Sequence, residues 1–172
     1  MSTNHRTIKW IENLAEQELS IRAGERASHD ISLTKEEVLS VETVSFIREL
    51  FHHFEYMVRL FNLRVNQPTL QFKLLRNGER LDGFSIVRNG MKLVLNRTQT
   101  GLVQIQCDKL IAREGFAGTR SSVMFTGIVE ARFGTFDDVE WHFLGNTVSA
   151  EQVARHYLTE FIQISRDQAR LH

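Results

Sequence analysis

The chain of 172 residues contains one cysteine and one proline, and it lacks any long apolar run. One cysteine excludes an internal disulfide, and with an N-terminus too polar for a signal peptide it predicts a reducing, cytoplasmic setting. The near absence of proline leaves no recognisable linker, which predicts a single domain over residues 1–172. Because no apolar run approaches the roughly 18 residues of a membrane span, we expect no membrane insertion.

The chain also lacks net charge, with 21 basic and 21 acidic side chains. This balance argues against a protein whose whole surface binds nucleic acid. The charges are unevenly spread, however, because residues 59–97 hold eight basic and two acidic side chains. Arginine outnumbers lysine 16 to 5, and the guanidinium group suits carboxylate or phosphate recognition. An anionic ligand or nucleic acid bound at this segment is therefore one hypothesis.

Two helices are predicted in the first third of the chain. Residues 1–33 contain an amphipathic helix over about residues 8–22, followed by a polar connector. Thr34 and Glu37 then have the spacing of a capping box, and no helix breaker follows before Pro68. Within the segment 34–66 this predicts a long helix from Lys35 to Arg64, or two helices with a bend.

The long helix is predicted to be apolar on two sides. One stripe has core character, with Leu50 and Met57 on its flank: Val44, Ile47, Phe51, Phe54, Val58, Phe61 and Val65. The opposite side carries Tyr56, Leu60 and Leu63 beside His52. Such a helix must be covered twice, either by the first helix or by another subunit. We therefore predict a homo-oligomer or protein partner bound at Tyr56, Leu60, Leu63 and His52.

After Pro68 the apolar period changes to two, which is typical of strands. Asn77-Gly78 and Asn89-Gly90 are strong signals for type I′ hairpin turns, and successive hairpins imply an antiparallel meander of about six strands over residues 69–145. Residues 149–170 then form a helix that starts with a second capping box, Ser149 and Gln152. The predicted fold class is α+β, with the C-terminal helix packed on one face of the sheet.

The adjacent histidines of FHHFEYM, residues 51–57, raise the question of a metal site. Glu49 and His53 stand at i and i+4, a spacing by which a helix face offers two ligands. His52 and His53, however, point about 100° apart on a helix, and a third ligand would have to come from distant His142 or His156. We predict no metal and no cofactor, with the histidines beside a buried stripe. If this side meets a second subunit, association should weaken at acid pH.

Other catalytic patterns find little support. Cys107 follows the inward alternation of its strand, which predicts a buried thiol with a raised pKa. The loop over residues 113–122 has glycines, arginines and hydroxyls but lacks the order of a phosphate-binding loop. Asp137, Asp138 and Glu140 flank a turn, where solvated acidic residues are common. No catalytic residue is predicted.

The sequence therefore favours a non-catalytic binding module, which acts as an adaptor, chaperone or regulatory protein through protein contacts. One alternative is an anion-binding domain for nucleotide, RNA or lipid headgroup, which would use Arg59, Arg64, Arg76, Arg80 and Arg88. Another is a small-ligand-binding protein or an enzyme with a pocket between the sheet and the helices. The large residues of the later strands favour a filled core over a cavity: Phe125, Phe133, Trp141 and Phe143.

Overall fold

The computed structural model describes residues 11–12, 14–15, 18–19, 34–77, 82–112, 119–136 and 138–169. The chain divides into two compact units, residues 1–34 and residues 35–172. In the first unit the six described residues before Thr34 are helical, and the rest of the predicted amphipathic helix lies outside the described residues. The second unit contains every element discussed below.

The second unit has α+β architecture, as predicted. Helix α1 spans Lys35–Val65, and a short 3₁₀ turn at Pro68–Leu70 leads into a seven-stranded antiparallel sheet whose strand order follows the chain. Helix α2, Ala150–Ala169, follows the sheet. The strands are β1 Lys73–Arg76, β2 Gly83–Arg88, β3 Met91–Gln99, β4 Leu102–Ala112, β5 Thr119–Phe133, β6 Val139–Phe143 and β7 Asn146–Thr147.

The prediction of about six strands was wrong by one, and the missed strand is β7. It consists of two residues that pair with His142 and Phe143 of β6 across a tight turn. Leu144 and Gly145 form that turn with φ angles of 49° and 81°. Two polar residues are too few to show a period of two, which explains the omission.

Helix α1 begins and ends where the sequence signals predict. It starts directly after Thr34, and it stops at Val65 because Asn66 adopts a left-handed φ of 47° and Pro68 follows. It is one continuous helix. Its buried face includes most of the predicted stripe, together with Phe46, which the stripe omitted. The buried residues of the helix are Thr43, Phe46, Ile47, Leu50, Phe51, Phe54 and Val58.

Both helices pack on the same face of the sheet. Directly paired residues of an antiparallel sheet share a face, and Phe84, Leu95, Ile105 and Gly127 form one such row. At one end of the row Phe84 contacts aromatic rings of α1, and at the other Gly127 lies against Tyr157 of α2. The core therefore lies between one helical layer and one sheet, as predicted.

Polar side chains connect the helices to the sheet at specific points. The Asn62 amide of α1 donates to the Phe72 carbonyl and accepts from the Phe72 N–H, at 3.0 and 2.9 Å. The buried Thr43 hydroxyl accepts a hydrogen bond from the N–H of Gly101, in the β3–β4 turn, at 2.8 Å. Such bonds satisfy backbone groups that the fold would otherwise leave buried and unpaired. Among the described helices, none is long and apolar enough to cross a membrane.

Candidate functional site

The outer face of α1 exposes an apolar ridge, which we call the α1 stripe: His52, Tyr56, Leu60 and Leu63. Tyr56 and Leu63 are 63% and 68% exposed, and Leu60 is 44% exposed, so the large side chains of the stripe remain open to solvent. The His52 Nδ1 atom lies 3.9 Å from an oxygen of Glu55, and the side chains of both residues are mostly exposed. The structure thus gathers the four residues of the predicted partner surface on one helix face.

The four described arginines of the predicted anion site do not share one surface. Arg59 and Arg76 line one groove, whereas exposed Arg64 lies outside it, and Arg80 is not among the described residues. Arg88 is buried, donates to the Leu70 carbonyl and the Ser165 hydroxyl, and stacks over two phenylalanine rings. Burial, and secondarily the charge of Arg166, lowers the pKa of Arg88.

An open groove with a volume of about 680 Å³ separates the second half of α1 from β1, and we call it the α1–β1 groove. Its apolar wall contains Phe51, Val58 and Leu74. Its polar groups include Glu55 and the guanidinium groups of Arg59 and Arg76. The Arg76 guanidinium lies 4.6 Å from the centre of the Phe51 ring, an arrangement that holds the cation over the groove.

A second cavity, of about 800 Å³, lies between β5, β6 and α2. We call it the β5–α2 cavity. Phe125, Phe143 and Tyr157 form an aromatic wall, and their ring centres lie 5.6 to 5.9 Å apart where they meet. Burial raises the pKa of the Tyr157 phenol to about 12, because the interior disfavours a tyrosinate. Of the four large residues expected to fill the core, Trp141 does so, whereas Phe125 and Phe143 leave this space beside them.

The histidines do not converge on a metal site within the described part of the chain. His52 is exposed, His53 is half-buried, and His142 lies on β6, where its Nε2 atom is 3.4 Å from a Glu140 oxygen. No group of three or more potential metal ligands occurs among the described residues. Residues 113–118 of the glycine-containing loop and Asp137 lie outside the described residues.

Cys107 is fully buried on the inner face of β4, as its alternation predicted. Burial, together with the negative charge of Asp108, raises the pKa of its thiol to about 12. A thiol in this environment remains protonated at neutral pH, so it is poorly suited to act as a nucleophile.

Sequence reasoning missed the role of Asn62 in the α1–β1 groove. It lies within a predicted helix, and nothing local marks an asparagine that hydrogen-bonds the backbone of Phe72, ten residues further on. The only available signal was a polar residue between Phe61 and Val65, two positions of the predicted stripe. A comparison with known proteins finds no matching family model, no matching curated protein and no matching solved structure.

Proposed function

We propose that this chain is a non-catalytic protein-binding module, acting as an adaptor, chaperone or regulatory protein, and that its first partner is a second copy of itself. The observation that carries the proposal is the α1 stripe. Tyr56, Leu60 and Leu63 recur at intervals of four and three residues, which is the spacing of anchor residues when one helix lies against another. Single exposed apolar residues are ordinary, but a ridge of them is typical of an interface.

A second copy is a suitable partner for two physical reasons. Across a two-fold axis the α1 stripe of one subunit packs against the α1 stripe of the other, so a single interface buries both stripes. The formal net charge of zero also removes long-range repulsion between the two copies. Polar residues such as Glu55 and Arg59 border the stripe, which gives it the apolar centre and polar rim of a protein interface.

Analytical ultracentrifugation over a wide concentration range tests the proposal. We expect a monomer–dimer equilibrium, and the variant with Tyr56→Ser, Leu60→Ser and Leu63→Ser should raise the dissociation constant by at least about tenfold. Val41→Ser is the matched control, because Val41 is exposed on the same helix more than two turns before the stripe. A wild-type protein that stays monomeric, or a triple variant that dimerises unchanged, would contradict self-association through this face.

A second candidate function is the binding of an apolar small molecule in the β5–α2 cavity. The supporting observation is its aromatic wall, next to the aliphatic residues Ile128 and Ile164. An aromatic fluorescent probe such as anilinonaphthalene sulfonate should bind the native protein, and Ile164→Trp should abolish that binding by filling the space. Thr159→Trp, on the exposed side of α2, is the control. Equal probe binding by both variants would remove this candidate.

A further inference from the structure

Strand β1 is an edge of the sheet, and its backbone pairing identifies which groups point outward. The N–H of Asn77 donates to the Gly83 carbonyl at 3.2 Å, which continues the register in which Leu75 faces Ser85 and Lys73 faces Val87. Hydrogen-bonded pairs alternate along an antiparallel ladder. The odd-numbered residues of β1 therefore bond to β2, and the N–H and carbonyl groups of Leu74 and Arg76 point toward the open edge.

Phe72, two residues before Leu74, points its N–H and carbonyl groups toward the same edge, and there both groups are hydrogen-bonded. There the Asn62 side-chain amide makes both bonds that a residue of a neighbouring strand would make, one as donor and one as acceptor. Because Asn62 belongs to α1, the open edge of β1 faces the α1–β1 groove. Among the described residues, no group bonds the outward N–H and carbonyl groups of Leu74 and Arg76 as Asn62 bonds those of Phe72. Hydrogen bonding along this edge therefore ends at Phe72.

The groove beside this edge combines apolar surface with unpaired positive charge. Val58 and Leu74 provide apolar contact, and the guanidinium groups of Arg59 and Arg76 form no ion pair with any residue that the structure describes. Among the described residues that line the groove, Glu55 is the single carboxylate, and it lies near His52. Two cations and one anion among these residues give a positive excess, which favours a negatively charged occupant.

We propose that the α1–β1 groove binds an extended acidic segment of another protein, which adds to β1 as an eighth strand. Its backbone pairs with Leu74 and Arg76, and its alternate side chains face α1. An apolar side chain then contacts Val58 and Leu74, and a carboxylate two residues away pairs with Arg59 or Arg76. A second copy of β1 fits less well, because its own Lys73 and Arg76 would bring positive charge to a positive groove.

A labelled peptide provides the probe: acetyl-Val-Thr-Glu-Thr-Val-Thr-Glu-Thr carrying fluorescein, with a matched peptide that has lysine in place of glutamate. Fluorescence anisotropy should show binding of the glutamate peptide only. Arg76→Glu should weaken binding about tenfold or more. Arg64→Glu makes the same charge change on α1 outside the groove, and it should leave the affinity within about twofold. Equal binding of both peptides, or binding of neither, would overturn the proposal.

Amide hydrogen exchange measured by NMR tests the strand pairing itself. The N–H groups of Leu74 and Arg76 should exchange more slowly when the peptide is bound, whereas the N–H of Leu75, already paired with β2, should change little. Peptide binding without protection of Leu74 and Arg76 would overturn the pairing. Protection that rises with protein concentration alone would assign the edge to a second copy, which also overturns the proposal. The α1 stripe shares Leu63 with the groove, whereas Tyr56 and Leu60 lie outside the groove lining. Ultracentrifugation of a variant with Tyr56→Ser and Leu60→Ser alone therefore gives a result separate from peptide binding.

Discussion

Cys107 should be almost inert in the folded protein. A rise in the thiol pKa from 9.0 to about 12 lowers the thiolate fraction at pH 8 about a thousandfold, and the side chain is also buried. Ellman's reagent should therefore label native protein very slowly and unfolded protein rapidly. Since the chain has one cysteine, the absorbance reports this residue alone. Fast labelling of native protein would mean that β4 opens or that Cys107 is not buried.

Gly127 should not tolerate even alanine. A Cβ atom at this position would overlap the Tyr157 hydroxyl, and the Tyr157 ring is held by Phe125, Phe143 and His156. Overpacking of this kind lowers the free energy of unfolding by about 1–3 kcal/mol. Chemical denaturation of Gly127→Ala measures the loss. The same substitution in a Tyr157→Phe background should be less damaging, and equal losses in both backgrounds would show that the hydroxyl is not the obstacle.

At the scale of single residues, the sequence predicts those contacts that join residues close together in the chain. Ser149 and Gln152 exchange both bonds of the expected capping box, at 2.8 and 3.2 Å, and Asn89 and Gly90 both have the positive φ of a type I′ turn. The stacking of Phe46 on Trp141, with ring centres 4.0 Å apart, joins residues far apart in the chain. A periodic stripe on one helix carries no information about such a partner.

The connection between α1 and β1 depends strongly on one side chain, Asn62. Asn62→Ala removes both hydrogen bonds to Phe72 and leaves a backbone N–H and carbonyl without partners, so we expect a loss of about 1–3 kcal/mol in the free energy of unfolding. The better helix propensity of alanine offsets part of this loss. Urea denaturation of the purified variant measures it.

Asn146→Ala is the matched control for this substitution. Asn146 is exposed in β7 and donates one bond to the nearby Leu144 carbonyl, so its removal should change stability by no more than about 0.5 kcal/mol. If the two variants are equally stable, Asn62 does not hold the helix to the strand. The edge-pairing argument for the α1–β1 groove would then lose its first step.

Element boundaries were largely predictable because their signals are local. The start of α1 at Lys35, the Pro68 break and the Asn-Gly turn before β3 were all predicted from the sequence.

The grouping of the arginines could not be predicted in this way. Charge density along residues 59–97 indicated one cationic surface, but Arg88 is buried in the core, whereas Arg59 and Arg76 line the groove. Arg76 and Arg88 lie on the same face of the sheet, so burial and not strand alternation separates them. A linear count of charge cannot say which residues the fold buries.

The whole unit should lose stability in alkaline solution. Tyr157 ionises near pH 10 in the unfolded chain but keeps its proton to about pH 12 when folded, so the free energy of unfolding falls as the pH rises between these values. Cys107 acts in the same direction from about pH 9. Denaturation at several pH values should show a shallower decline for Tyr157→Phe than for the wild-type protein. Parallel profiles would mean that Tyr157 is exposed to water.

At the scale of the molecule, class and layer order followed from the sequence, whereas the surfaces did not. A change of period from 3.6 to 2 and back to 3.6 is enough to predict helix, sheet and helix. The α1–β1 groove depends on how far the second half of α1 stands from an edge strand, and the β5–α2 cavity depends on how Phe125 and Phe143 turn. Both are properties of packing, which pattern alone leaves open.

Because strand order follows chain order, every pairing in the sheet joins neighbours in sequence. Contacts of this kind form quickly, so docking of the two helices is the step that must bring distant segments together. During synthesis α1 emerges before the strands that cover Phe51 and Phe54. At a synthesis rate of roughly 5 to 20 residues per second, the aromatic side chains of α1 remain uncovered for seconds. A nascent chain is thus most vulnerable to aggregation before its sheet exists.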